Sequence, residues 1–298
     1  VILPPGSEFA GHRIERILGR GGMSEVYLVH REGSTELETL KILDAAASQS
    51  EVIRRKFVAE AELGVRLRHR NIVAVHAHGD CDGRLWMSMH YVDGYSAARL
   101  VARGQIPMDV LRAARIVDEV SHALDHAHGV GVVHRDVKPA NILISTVVDP
   151  GELEQVLLSD WGIARMVDER MPLVSDDGTV LASIGYAAPE LLRGETLTAR
   201  TDIYALGATL VELLTGRTPF PLPTQFAVMN AHLTRTPPDI STRRADLPRA
   251  VDAVVHRAMA KDPADRFGSC HDMSVAVARA LEGYVPPPPP LRPWYRRR

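Results

Sequence analysis

Cysteine is scarce: the only two, Cys81 and Cys270, stand far apart in a chain of 298 residues. They supply neither a disulfide framework nor a cysteine-based zinc site, and they favour a reducing compartment. No apolar run approaches the roughly 20 residues a membrane helix needs, and no signal peptide opens the chain. A basic excess is missing too. The 35 lysines and arginines face 37 acidic residues, for a net charge of -2, so nucleic acid is not an expected partner. No tandem repeat recurs at the period of roughly 20–50 residues that marks a solenoid. The Walker phosphate loop, with its glycines, lysine and serine or threonine, is absent. The chain starts at Val1 rather than methionine, as a piece cut from a longer protein would.

What remains is ordinary globular composition, 45% hydrophobic and 24% charged, which argues against disorder. At about 150 residues per domain the length suits one large or two modest domains. Residues 1–8, with Pro4, Pro5 and Gly6, read as a short leader. Residues 9–283 read as the folded region, and 284–298 as a proline-rich, basic linker. In that linker Pro286 to Pro290 form an extended spacer, followed by Trp294, Tyr295, Arg296, Arg297 and Arg298.

The first third is strand-rich, with candidates at Arg13–Leu18, Val26–Val29, Thr39–Leu43 and Leu85–Val92. One amphipathic helix interrupts them, with Phe57, Ala61, Gly64, Val65 and Leu67 on its apolar face. Helices dominate afterwards. In Asp109–Ala127, Leu111, Ala114, Val117, Val120, Leu124 and Ala127 recur at spacings of three and four. Asp202–Leu214 is almost wholly apolar and predicts a buried central helix, stopped at Thr215-Gly216. Pro248–Ala260 and His271–Leu281 are two more. A strand-rich lobe ahead of a helical lobe predicts an α+β fold with a cleft between the two.

Four segments carry chemistry. Gly19, Gly21 and Gly22 lie between two strand candidates, where glycine lets backbone approach phosphate oxygens. A Rossmann turn would need a helix next, and the residues that follow read as strand. Lys41 sits on a strand, with Glu60 on the next helix as a candidate carboxylate partner. His134-Arg135-Asp136-Val137-Lys138-Pro139-Ala140-Asn141 places a carboxylate, an ammonium and a carboxamide in one loop. Such groups can orient a hydroxyl proton, neutralise phosphate and ligate a hard cation. Asp160-Trp161-Gly162 follows a strand-like Val156-Leu157-Leu158 and offers a second oxygen ligand.

Taken in order with Ala188-Pro189-Glu190, Asp202 and Arg266, these motifs closely resemble the eukaryotic-like serine/threonine protein kinases of bacteria, in particular the receptor-type kinases of actinobacteria. The resemblance covers about residues 9–283 and implies a bilobal kinase fold, N-lobe 9–92 and C-lobe 93–283. Lys138 and Pro139 resemble the serine/threonine branch. It further implies that Leu18, Gly19, Gly21, Gly22 and Val26 cover ATP, and that Lys41, paired with Glu60, holds its α- and β-phosphates. Met89, His90 and Val92 would form the hinge, with Val26 and Leu143 sandwiching adenine. Asp136 would be the catalytic base with Lys138 beside the γ-phosphate, and Asn141 and Asp160 would hold Mg²⁺ or Mn²⁺. Asp202 would anchor the catalytic loop, Glu190 and Arg266 would pair, and His134 and Trp161 would stack.

The resemblance also implies protein substrates, autophosphorylation between two copies at Thr179 or Ser175 with Arg135 as phosphate receptor, and Ser183 as a substrate-platform hydroxyl. The aromatic, basic tail would flank a membrane helix beyond residue 298, which would tether the kinase to the cytoplasmic face. Four residues depart from the family pattern: Ser24 for a glycine, Thr39 for alanine, His90 for a hinge glutamate and Trp161 for phenylalanine. Thr146 to Gln155 reads as a surface insertion. His122, His126 and His128 fall on one predicted helix, and His122 and His126 have metal-ligand spacing without an evident third ligand, so packing or solvent is the reading preferred for them. A pseudokinase scaffold and a small-molecule phosphotransferase are the alternative readings.

Overall fold

The structure, a computed structural model, describes residues 2–102, 108–146, 153–161 and 184–286. Its first lobe is a six-stranded antiparallel sheet. The strands are β1 (Glu8–Phe9), β2 (His12–Arg20), β3 (Ser24–Arg31), β4 (Leu37–Leu43), β5 (Val75–Cys81) and β6 (Arg84–His90), in the order β1-β2-β3-β4-β6-β5. Alternation along β4 buries Glu38, Leu40 and Ile42 on one face and leaves Thr39 and Lys41 half-buried on the other. Register sets Lys41 opposite Val26 and Met87, and Thr39 opposite Met89.

The segment expected to be a free leader is fastened to this sheet. Gly6 N–H donates to Ile14 O, Ile14 N–H to Ser7 O, and Leu3 N–H to the Tyr27 hydroxyl. The strand expected over 85–92 ends at His90, and β5 leaves no clear signal in the sequence. Its alternate positions carry His76, His78 and Asp80 rather than β-branched residues.

Two helices follow β4: α1 (Ala45–Gln49), capped by the Asp44 carboxylate, and α2 (Glu51–Arg66). Phe57 and Ala61 of α2 bury against Leu43, Ala47, Leu85 and Met87. This packing holds the polar edge of α2 over the half-buried face of β4.

The second lobe opens with β7 (Gly94–Ser96) and α3 (Ala97–Ala102), then α4 (Val110–Gly129). Asp109 caps α4, accepting from Arg112 N–H at 2.8 Å. The buried face of α4 runs through Val110, Ala113, Ile116, Val117, Val120, Leu124 and Ala127. Leu111, expected on that face, is 49% exposed, because Val110 takes the inward position in the first turn. A short three-stranded sheet, β7-β8-β9, adds β8 (Ile142–Ser145) and β9 (Val156–Leu158). Gly94 is required there: a Cβ would lie 1.9 Å from Ile144 O.

Among the described residues, the remaining α-helices are α5 (Pro189–Arg193), α6 (Ala199–Thr215), α7 (Gln225–Thr234), α8 (Ala250–Ala258) and α9 (Cys270–Ala280). α6 is the buried axis expected from its composition. A capping box of Thr198 and Thr201 starts it and left-handed Gly216 ends it. Tyr284, placed by sequence in the linker, instead packs on the lobe's core and donates to Asp246 at 2.8 Å.

The lobes join through residues 71–73. Val73 N–H donates to Leu158 O, and Leu158 N–H to Asn71 O. The buried Asn71 amide donates to Val156 O and to Glu119 of α4. β9 therefore runs at the floor of the cleft and delivers Asp160 beneath β4.

Candidate active site

Lys41 projects from β4 into the cleft, where its Nζ lies 3.2 Å from Glu60 Oε1 and 3.3 Å from Asp160 Oδ1. Three elements converge on this ammonium: the sheet, α2 and the end of β9. Burial pushes the Lys41 pKa down, but Asp160 and Glu60 outweigh it and hold the ammonium above the ordinary lysine value. Lys41, in turn, holds Asp160 below the usual carboxylate range against the effect of burial. Glu60 goes the other way, pushed up by burial and by Asp160 despite Lys41.

The loop after α4 carries the second group. Asp136 Oδ2 accepts from Lys138 Nζ at 2.8 Å and from Asn141 Nδ2 at 3.2 Å. Asn141 Nδ2 also donates to Asp136 O at 2.8 Å, which leaves its amide oxygen available as an acceptor. Asp136 Oδ1 is buried and has no hydrogen-bond partner among the described residues. A buried carboxylate oxygen without a donor is costly and marks a place where a donor or cation is received.

Asp202 fixes this loop from beneath. Its carboxylate accepts the backbone N–H groups of His134 and Arg135, both at 2.8 Å. His128 from the last turn of α4 approaches the same carboxylate at 2.7 Å. Arg135 is thereby held at φ 71°, and Asp160 stands at φ 55°, both in the left-handed region that costs a residue with a Cβ about 1–3 kcal/mol. His134 bridges the two segments. Its Nδ1 accepts from Asp136 N–H at 3.2 Å, which assigns the proton to Nε2, donating to Ser159 O at 3.1 Å. Burial holds this imidazole neutral by lowering its pKa.

His134 packs on the Trp161 ring with centroids 4.7 Å apart, so the stack expected from sequence is present. Trp161 is buried, and its indole nitrogen finds no partner among the described residues.

The other predicted site residues fall on the strands and turns of the two sheets. Leu18 and Gly19 lie near the end of β2, Gly21 and Gly22 form the turn, and Val26 enters β3 opposite both Gly19 and Lys41. Gly21 N–H donates to Ser24 O at 2.8 Å, so the glycine segment is a hairpin tip and not the start of a helix. Met89 and His90 close β6, with half-buried Val92 in the connector to β7 and half-buried Leu143 on β8. His90 N–H is already used by Ala74 O at 2.9 Å. The phosphosite candidates Ser175 and Thr179, with Gly162 and Ser183, lie outside the described residues.

Sequence reading misses Asn71 and Ser159, and it places His128 on its helix without finding the Asp202 partner. Ser159 anchors Asn141 by donating both its N–H and its Oγ–H to Asn141 O, at 2.9 and 3.1 Å. The inserted stretch is also less free than expected: Arg112 and Arg115 clasp Glu154 at its base, at 2.7 and 2.6 Å. In the helical lobe, Arg266 and Glu190 form a buried two-pronged pair at 2.7 and 2.8 Å.

Residues 12–276 match the family model described as the protein kinase domain, and the chain belongs to that family. It is 44% identical to the serine/threonine-protein kinase PknJ of Mycobacterium tuberculosis, over 99% of this chain and 52% of the relative. It is 41% identical to PknF of the same organism, over 94% of this chain and 58% of the relative. The chain thus spans about half the length of these curated relatives. Among solved structures, the kinase domain of M. tuberculosis PknI superposes with a TM-score of 0.75 at 36% identity, covering 94% of this chain and 100% of that one.

Proposed function

We propose that this chain is an active serine/threonine protein kinase that transfers the γ-phosphoryl group of ATP to protein hydroxyls. The observation that carries the reading is the convergence of Lys41, Glu60 and Asp160 above an Asp136 carboxylate whose Oδ1 is buried and unpartnered among the described residues. A scaffold without catalysis would have no need to hold Arg135 and Asp160 in left-handed backbone at this place.

The residues fit a nucleotide with a divalent ion. Asn141 and Asp160 offer the hard oxygen donors that Mg²⁺ or Mn²⁺ takes, and Lys41 offers a fixed cation. When bound, the ion neutralises charge on the phosphates. Lys41, kept in place by Glu60, positions the α- and β-phosphates, while the hairpin tip at Gly19 to Val26 covers them. Met89, His90 and Val92 border adenine, with Val26 and Leu143 on its two faces; because His90 N–H is taken by Ala74, the hinge offers His90 O and Val92. Asp136 Oδ1 accepts the hydroxyl proton of the substrate and orients the oxygen toward phosphorus. Lys138, already 2.8 Å from Asp136, stabilises the transferring group.

The test is labelled ATP with Mg²⁺ or Mn²⁺ followed by phosphosite mapping. Wild type incorporates label at Thr179 or Ser175, while Asp136→Asn and Lys41→Met fall by at least about a hundredfold and keep wild-type circular dichroism. Supplying Asp136→Asn protein as substrate to wild type separates transfer between two copies from transfer within one. Most activity surviving in Asp136→Asn would overturn the reading.

No described helix is long and apolar enough to cross a membrane. The tail, outside the described residues from 287 on, supports by its composition alone a tether near the inner membrane face. Fractionation of cells that express the full-length protein checks this: the kinase is expected in the membrane fraction, and a wholly soluble product refutes the tether.

A further inference from the structure

We propose that Asp118, His122 and His271 form a binding site for a divalent transition metal, Zn²⁺ in the first instance, that clips α4 to the first turn of α9. Spacing along the chain pairs His122 with His126 and finds no third ligand. The fold supplies other companions: Asp118 one turn before His122 on α4, and His271 from the far end of the chain. One ligand atom from each of the three lies within 4.8 Å of the other two. His122 Nε2 stands 4.0 Å from Asp118 Oδ1, and the His122 and His271 rings are 5.5 Å apart between centroids, tilted by 41°.

A tetrahedral zinc with bonds of about 2.0–2.2 Å spaces its ligand atoms by roughly 3.4 Å. The three groups therefore need to close by about an ångström, which side-chain rotation supplies, since both histidines are exposed. One ligand side chain is already oriented, and the backbone of a second is anchored. Ser274 Oγ donates to Asp118 Oδ1 at 2.8 Å, the outer hydrogen bond that a ligating carboxylate usually has. Asp125 Oδ2 accepts the His271 backbone N–H at 2.9 Å and fixes where that residue leaves the loop.

Two imidazoles and one carboxylate suit Zn²⁺ and its neighbours rather than Mg²⁺, which prefers oxygen alone. Exposure leaves a further coordination position to water. A second group of potential ligands nearby, Asp125, His128 and Cys270, does not compete. Asp125 is occupied by the Cys270 and His271 amides, His128 is committed to Asp202, and burial raises the Cys270 thiol pKa.

The site shares no residue with the cleft, so its test does not depend on catalysis. Chelator-treated protein is titrated with ZnCl₂ against a chromophoric zinc indicator, and thermal unfolding is followed with and without the metal. Wild type is expected to take one equivalent with micromolar or tighter affinity and to gain a few degrees in Tm. His122→Gln and His271→Gln should each bind at least about tenfold more weakly and lose the gain, with unchanged circular dichroism because both side chains are on the surface. His126→Gln should behave as wild type. No stoichiometric binding by wild type, wild-type affinity in the His122→Gln/His271→Gln double variant, or loss of binding on His126→Gln would each overturn the proposal.

Discussion

His128 leaves α4 with one ring nitrogen 2.7 Å from Asp202 and the other 3.7 Å from Asp125. Burial pushes its pKa down, yet the two carboxylates outweigh that and raise it to about 9. A pKa raised on folding means that the native state binds the proton more tightly. The resulting stability is complete below the unfolded value near 6.5 and disappears as pH rises through about 9. Its size is on the order of a few kcal/mol. Urea midpoints of the wild type should therefore fall between about pH 6.5 and 9, and His128→Gln should remove most of that slope. Parallel curves for the two proteins would show that the imidazolium contributes nothing. Trp161 is a different kind of residue: its larger ring is accommodated, at the cost of a buried indole N–H without a partner among the described residues.

Helix α6 passes α8 at a point where only glycine fits. A Cβ on Gly207 would stand 2.8 Å from Ala258 Cβ and 3.1 Å from Met259 Cγ. Gly207→Ala gains helix propensity of about 1 kcal/mol, but it must push the two packed helices apart at a cost of about 1–3 kcal/mol. Thermal unfolding should report a net loss of a few degrees, whereas an unchanged or higher Tm would mean that the helices separate freely. The elements also mark what local sequence can reveal. α6 and α2 are legible because several turns of one-sided or uninterrupted apolar residues leave a pattern. α1 and α3 are not, because five or six residues complete less than two turns and leave no period to read. α7 escapes because its apolar residues are not confined to one side and Phe226 faces outward.

At the scale of the molecule, the motifs announce the candidate catalytic groups but not what holds them. Lys41, Asp136, Asn141 and Asp160 can be named because their chemical types recur in a fixed order. Asn71, Ser159 and the role of His128 cannot, since each depends on a hydrogen bond to a segment distant in sequence. The cleft is thus a local vocabulary set by long-range placement: Asn71 ties the strand-rich lobe to β9 and α4 at once, and α6 carries the carboxylate beneath the loop.

That carboxylate gives the loop an unusual relation to solvent. His134 and Arg135 are in neither helix nor strand, and loop amides ordinarily exchange their protons quickly. Their N–H groups end instead on Asp202, whose side chain has no solvent exposure inside the buried axial helix. Releasing them requires α6 to leave the core, so their exchange is tied to opening of the whole helical lobe. In deuterated buffer these two amides should be among the last to exchange, in step with α6, and Asp202→Asn should free them first.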